Sequence, residues 1–201
     1  LRDSGVPTPT IIRTRNDGSY FKSDSVFYQL FEFVSGDHFR GTKGELIEMG
    51  KGVARMHKAL RNIPIRGDIG QKTSFLKPWT LEGWGEMKTI AQAGRDKKEN
   101  QWFLENADFI IATAEEIRDY MNSHSGWDIQ PIHCDLHPQN TLFENEKLKS
   151  ILDFERVELC ERSRDIGNAC HRFVRQFVVY QKRPWKSLLR EGVEAFLDAY
   201  E

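Results

Sequence analysis

Asp135 and Asn140 stand five residues apart in the run His133-Cys134-Asp135-Leu136-His137-Pro138-Gln139-Asn140, and Asp153 follows the apolar stretch Ile151-Leu152. A carboxylate to orient a hydroxyl nucleophile, with a carboxamide and a second carboxylate as oxygen ligands for Mg²⁺, is the minimum set for phosphoryl transfer. That chemistry asks the protein mainly for positioning and charge neutralisation. Mg²⁺ keeps several waters and takes one or two protein carboxylates beside phosphate oxygens, so no third carboxylate is needed.

Such residues must be held by a frame, and the neighbouring sequence supplies one. Residues 141–143 and 148–152 read as two strands, with Glu144-Asn145-Glu146-Lys147 as the polar turn between them and Pro131-Ile132 as a short apolar approach. A hairpin of that length carries Asp153 back beside the loop that holds Asn140. Upstream, Asn16-Asp17-Gly18 predicts a hairpin turn between residues 11–15 and 19–22, and residues 27–34 predict a third strand. Leu46, Gly50, Val53, His57 and Leu60 fall on one helix face, and Phe103, Ala107, Ile110, Ala114, Ile117 and Met121 on another. Glycines and prolines scattered through residues 62–98 predict an irregular, substrate-side insertion. Two further helices are expected over residues 166–180 and 184–200, and no internal repeat is present.

Composition narrows the function classes. The chain has 201 residues, 39% hydrophobic and 29% charged, enough for one sizeable core. A net charge of −1 offers no electrostatic case for nucleic acid or an anionic membrane as partner. No apolar run is long enough to span a bilayer and no secretory leader is recognisable. Cys134, Cys160 and Cys170 are an odd number without the spacing of a disulfide framework, which points to a cytoplasmic location. The oligomeric state is not legible.

Residues 132–140 together with 151–155 resemble the paired catalytic and metal-binding motifs of the aminoglycoside phosphotransferase and choline kinase group, small-molecule kinases of protein-kinase-like fold. Tyr28-Gln29-Leu30-Phe31-Glu32-Phe33-Val34-Ser35-Gly36 is similar to the strand and hinge that hold adenine, and residues 49–57 to the helix that follows. The resemblance implies an α+β, protein-kinase-like fold: mainly the helical large lobe with its catalytic β-hairpin (residues 37–201), preceded by the last strands of a truncated small lobe and the hinge (residues 1–36). It implies Asp135 as catalytic base or hydroxyl orienter, Asn140 and Asp153 as Mg²⁺ ligands, and Glu32, Phe33 and Val34 as the adenine contacts. His133 and Asp165 would support the loop. The cofactors implied are ATP or GTP with Mg²⁺, and the partner is a small-molecule hydroxyl acceptor: an aminoglycoside, choline or another amino alcohol, or a homoserine-like amino acid.

Departures from the protein-kinase pattern sharpen this expectation. Cys134 stands where a protein kinase carries arginine and Glu155 where it carries glycine, and only residues 154–164 separate Asp153 from Asp165. There is no room for a long activation loop or an Ala-Pro-Glu marker, so a small acceptor is expected and a protein substrate is not. The family's Gly-rich loop and strand lysine would lie upstream of Leu1. The chain is therefore expected to be a fragment, inefficient alone. The competing class is a nucleotide-binding regulatory protein that keeps the fold without turnover, which the joint presence of Asp135, Asn140 and Asp153 disfavours. Zinc at His133, Cys134, Asp135 and His137 is disfavoured by crowding. Glu155 fits either a metal-bound water or a turn cap. Trp79, Trp84 and Trp102 as an aromatic cage, and Glu82, Glu86 and Glu99 as a cation site, are weaker readings than core packing and a solvated face.

Overall fold

The computed structural model describes residues 1–64, 81–124, 128–181 and 184–201. They fall into two compact units, Leu1–Gln71 with Ile129–Glu201, and Lys72–Asp128.

In the first unit, α1 (Lys43–Arg61) is the central element. The Thr42 side chain caps it by accepting the Glu45 amide at 3.1 Å, satisfying one donor of the open first turn. Its apolar face is the expected one: Leu46, Gly50, Val53, His57 and Leu60 are all buried. Two glycines allow close neighbours. A Cβ on Gly50 would lie 2.4 Å from the Phe196 carbonyl oxygen, and one on Gly52 would lie 2.2 Å from Leu148 Cδ2, so α5 (Trp185–Tyr200) and the Leu148 side chain press directly on the α1 backbone. α4 (Arg162–Tyr180) completes the helical layer with Phe173, Val174 and Phe177 in the core.

The expected hairpin forms: β6 (Thr141–Glu144) and β7 (Lys147–Ile151) pair antiparallel, with an irregularity at Leu142/Phe143. Two further segments dock on it. Asp37 exchanges backbone hydrogen bonds with Phe143 (2.9 and 2.7 Å), and the Ile151 amide donates to the Pro7 carbonyl at 2.8 Å while Val6 sits in the core. β5 (Ile129–Ile132) pairs with β8 (Glu158–Glu161), a strand that the polar sequence Glu-Leu-Cys-Glu did not announce.

Near the start, the order of pairing differs from the expected hairpin. β1 (Ile11–Ile12) pairs with β4 (Leu30–Phe31), enclosing a separate hairpin of β2 (Phe21–Ser23) and β3 (Val26–Tyr28). The turn at Asn16-Asp17-Gly18 does form, closed by the Thr14 amide on the Gly18 carbonyl (2.9 Å), but a second turn with Asp24 at φ 53° redirects the chain and splits the expected third strand at Gln29.

The second unit contains α2 (Leu81–Ala93) and α3 (Lys98–Ser123), joined across their surfaces by Lys88 Nζ to Asp108 Oδ1 at 2.8 Å. α2 falls inside the segment expected to be irregular. Trp84 and Ala91, seven residues apart, are both buried, so helical spacing prevailed over Gly83 and Gly85. Of the expected α3 face, Ala107 is buried while Ile117 is half exposed. Trp84 is core and Trp102 exposed, and Glu86 and Glu99 are exposed; Trp79 lies outside the described residues, as does the side chain of Glu82. No described helix is long and apolar enough to cross a membrane.

Candidate active site

β5 delivers the chain to His133, and the next turn is set by a carboxylate from another element. Asp165 lies in the first turn of α4, not in the loop before the helix, because α4 begins at Arg162. Its side chain is fully buried, and its two oxygens accept the amides of His133 (Oδ2, 2.7 Å) and Cys134 (Oδ1, 2.8 Å). His57 Nε2 donates to the same Oδ2 at 3.2 Å. Charge-assisted bonds of this kind are about twice as strong as neutral ones. They hold Cys134 at φ 65°, a left-handed conformation uncommon for a residue with a side chain, and so aim the next residue, Asp135.

His133 ties this loop to the hairpin. Nε2 donates to the Leu152 carbonyl at 2.9 Å, so Nδ1 is the acceptor for the Asp135 amide at 3.3 Å, and the ring packs 4.7 Å from the Phe154 ring. A short 3₁₀ turn, Pro138–Asn140, then leads into β6. Asn140 Nδ2 donates to the Asp135 carbonyl at 3.0 Å, and its own carbonyl accepts the Leu152 amide at 2.9 Å. Leu152, the residue before Asp153, is thus bonded through both its amide and its carbonyl to the loop that carries Asp135 and Asn140.

Two side chains near the Asp135 carboxylate were missed by sequence reasoning. Arg156 Nη1 lies 3.8 Å from Oδ2 and His137 Nε2 lies 3.9 Å from Oδ1. Arg156 carries no local sequence signal. His137 had been weighed only as a metal ligand. Cys134 has its thiol pushed up to about 12, by burial first and then by the negative charge of Asp165, so it is a neutral packing group and not a nucleophile.

The donor set suits a hard divalent cation. With Nδ2 engaged, Asn140 retains its Oδ1, and the exposed Asp153 carboxylate makes no hydrogen bond or ion pair among the described residues. Among those residues there is no group of three or more His, Cys, Asp or Glu side chains placed to hold a metal. After β4, the Glu32 amide donates to the Thr10 carbonyl at 2.9 Å and the next residue, Phe33, is 93% exposed.

Comparison with known proteins bears on the fold and the family. No curated protein sequence matches the chain. Among solved structures it is similar to an aminoglycoside phosphotransferase from Alicyclobacillus acidocaldarius (18% identity, TM-score 0.64), covering 100% of this chain and 61% of that one. It is also similar to a glucosamine kinase crystallised with glucosamine, ADP and inorganic phosphate (16%, TM-score 0.65, 100% and 57%). A third similar structure is a spectinomycin phosphotransferase with ADP and spectinomycin (16%, TM-score 0.58, 100% and 64%). The chain therefore spans about three-fifths of the length of these proteins, and shares with them the protein-kinase-like fold. The sequence profile of the phosphotransferase enzyme family matches residues 1–201 throughout, and the chain belongs to that family.

Proposed function

We propose that the protein transfers the γ-phosphoryl group of ATP to a hydroxyl of a small molecule, acting in the cytoplasm. The observation that carries this reading is the backbone of Leu152, whose amide and carbonyl are both bonded to the Asp135–Asn140 loop, with Asp153 as the next residue. Asp135 accepts the hydroxyl proton or orients the hydroxyl for in-line attack. Asn140 and Asp153 would hold Mg²⁺ with the nucleotide's phosphates. When bound, that ion would neutralise charge on the transferring group. The Glu32 carbonyl and Val34 amide bind the adenine edge. The free state of Cys134, Cys160 and Cys170 is consistent with a reducing compartment. Bound ADP, glucosamine and spectinomycin in similar structures support a nucleotide donor and a small acceptor.

The test is a screen of the full-length protein with labelled ATP against amino sugars, aminoglycosides, amino alcohols, hydroxy amino acids and generic proteins. A phosphorylated small molecule is expected. With that acceptor, Asp135→Asn should lower kcat by about 10³-fold while nucleotide affinity is kept, and Asp153→Asn should weaken Mg²⁺-nucleotide binding as well. Unchanged turnover in Asp135→Asn, or efficient protein phosphorylation with no small acceptor, would overturn the reading.

A further inference from the structure

His57 is the one buried imidazole on the apolar face of α1, 2% exposed, and the chemistry just described does not use it. It is bonded at both nitrogens. Nε2 faces Asp165 Oδ2 at 3.2 Å and Nδ1 faces the Tyr200 hydroxyl at 2.9 Å. A carboxylate only accepts, so Nε2 carries the proton. In the neutral ring Nδ1 is then the acceptor, and the Tyr200 O–H donates to it, which fixes the orientation of the ring. Tyr200 is itself held: its ring meets the His57 ring edge-on at 5.7 Å and lies under the Arg162 guanidinium at 5.8 Å.

We propose that Tyr200 is a positioning residue for the phosphoryl-transfer site, acting through His57 and Asp165 on the backbone that aims Asp135. The path is continuous. The Tyr200 hydroxyl holds the His57 ring at Nδ1, and His57 Nε2–H fixes Asp165 Oδ2. That oxygen and its partner then fix the His133 and Cys134 amides, with Cys134 in its left-handed conformation next to Asp135. Without the phenol, Nδ1 has no donor and the ring is no longer held from that side, so it can turn in its pocket and draw Nε2–H off Asp165 Oδ2. The carboxylate then loses one of its fixed partners and its grip on the two amides loosens. The last turn of α5 is in this way wired to the catalytic loop. The proposal rests on Asp135 being the residue that meets the acceptor.

The test separates the wiring from the chemistry. In the ¹⁵N-labelled 201-residue chain, His57 should show a protonated Nε2 and a hydrogen-bonded, bare Nδ1. Tyr200→Phe should shift the Nδ1 resonance and speed hydrogen exchange at the His133 and Cys134 amides by about tenfold, the scale of one lost hydrogen bond. Leu189→Ala, on the exposed side of α5, serves as the control for general loosening and should not single out those two amides. In a His57→Gln background, Tyr200→Phe should add nothing further at those amides. In the full-length enzyme, Tyr200→Phe should lower kcat by about tenfold with the nucleotide KM unchanged. Loop amides that respond to Tyr200→Phe no more than the core does, or equally in the presence and absence of His57, would overturn the proposal. Amides that respond as expected in a protein that phosphorylates no acceptor would uphold the coupling and instead sink the functional reading of Asp135.

Discussion

The imidazole of His133 donates from Nε2 to the carbonyl oxygen of Leu152 at 2.9 Å, so the residue two before Asp135 is bonded to the residue just before Asp153. One side chain thereby joins the loop that carries Asp135 to the segment that carries Asp153. His133→Ala should leave the Leu152 carbonyl and the Asp135 amide without partners in a mostly buried place. The expected loss is about 1–3 kcal/mol of stability, read from urea midpoints. Isothermal titration with Mg²⁺-ATP should show weaker binding in the same variant, since Asp153 loses its anchor. A variant as stable as the parent, with unchanged binding, would show that the hairpin alone holds Asp153.

Asp165 receives three donors on two oxygens, and this makes asparagine a poor substitute. Its amide keeps one acceptor oxygen but turns an NH₂ group toward an N–H, so at least one of the His133, Cys134 and His57 contacts must open. Asp165→Asn is expected to cost about 3 kcal/mol and to release Cys134 from its left-handed conformation. Denaturant unfolding gives the first quantity, and the exchange rate of the Cys134 amide reports the second. A cost under about 0.5 kcal/mol would mean the carboxylate's charge contributes little.

What could be read from the sequence was what local spacing encodes. The offsets of Asp135, Asn140 and Asp153 mark the loop and hairpin because adjacent strands need only a short polar turn between them, and Glu144 to Lys147 supplied it. α1 was legible because its apolar residues repeat with the helix, yet the same repeat hid the role of His57: a histidine on an apolar face reads as core, and only the contacts to Tyr200 and Asp165, 143 and 108 residues away, show what it does. β8 went unseen because its pairing with β5 is a tertiary event and its own residues are half charged. The nested pairing of β1 with β4 was hidden for a related reason. Asn16-Asp17-Gly18 is the stronger turn signal, but the turn at Asp24 sets which strands meet.

Cys134 has a pH signature whose sign follows from its environment. Burial and the nearby Asp165 push its thiol up to about 12 from the ordinary 9.0, so the folded state holds its proton where the unfolded state releases it. The contribution to stability is complete below pH 9 and is lost as pH rises from about 9 toward 12. At pH 8, iodoacetamide should modify Cys134 far more slowly than a free thiol and catch up only on unfolding, as followed by peptide mass spectrometry. Rapid modification in the folded chain at pH 8 would contradict the burial assigned to this thiol.

Gly50 and Gly85 both lie inside helices, and alanine at the two positions should act with opposite signs. At Gly50 the new Cβ would stand 2.4 Å from the Phe196 carbonyl oxygen and 3.0 Å from Ala199 Cβ, and a backbone oxygen in a packed helix cannot rotate away. α5 must shift off α1, at a cost of about 1–3 kcal/mol. Because Tyr200 follows Ala199, the same shift stretches the 2.9 Å contact from Tyr200 to His57, so Gly50→Ala should also speed exchange at the His133 and Cys134 amides. At Gly85 nothing lies within 4 Å of the new Cβ, and the change only removes the conformational freedom of glycine in a helix interior, worth about 0.5–1 kcal/mol in favour of folding. Urea midpoints for the two variants, followed by circular dichroism, should move in opposite directions. A Gly50→Ala chain as stable as the parent would mean that α5 is held less closely to α1 than the Phe196 carbonyl requires.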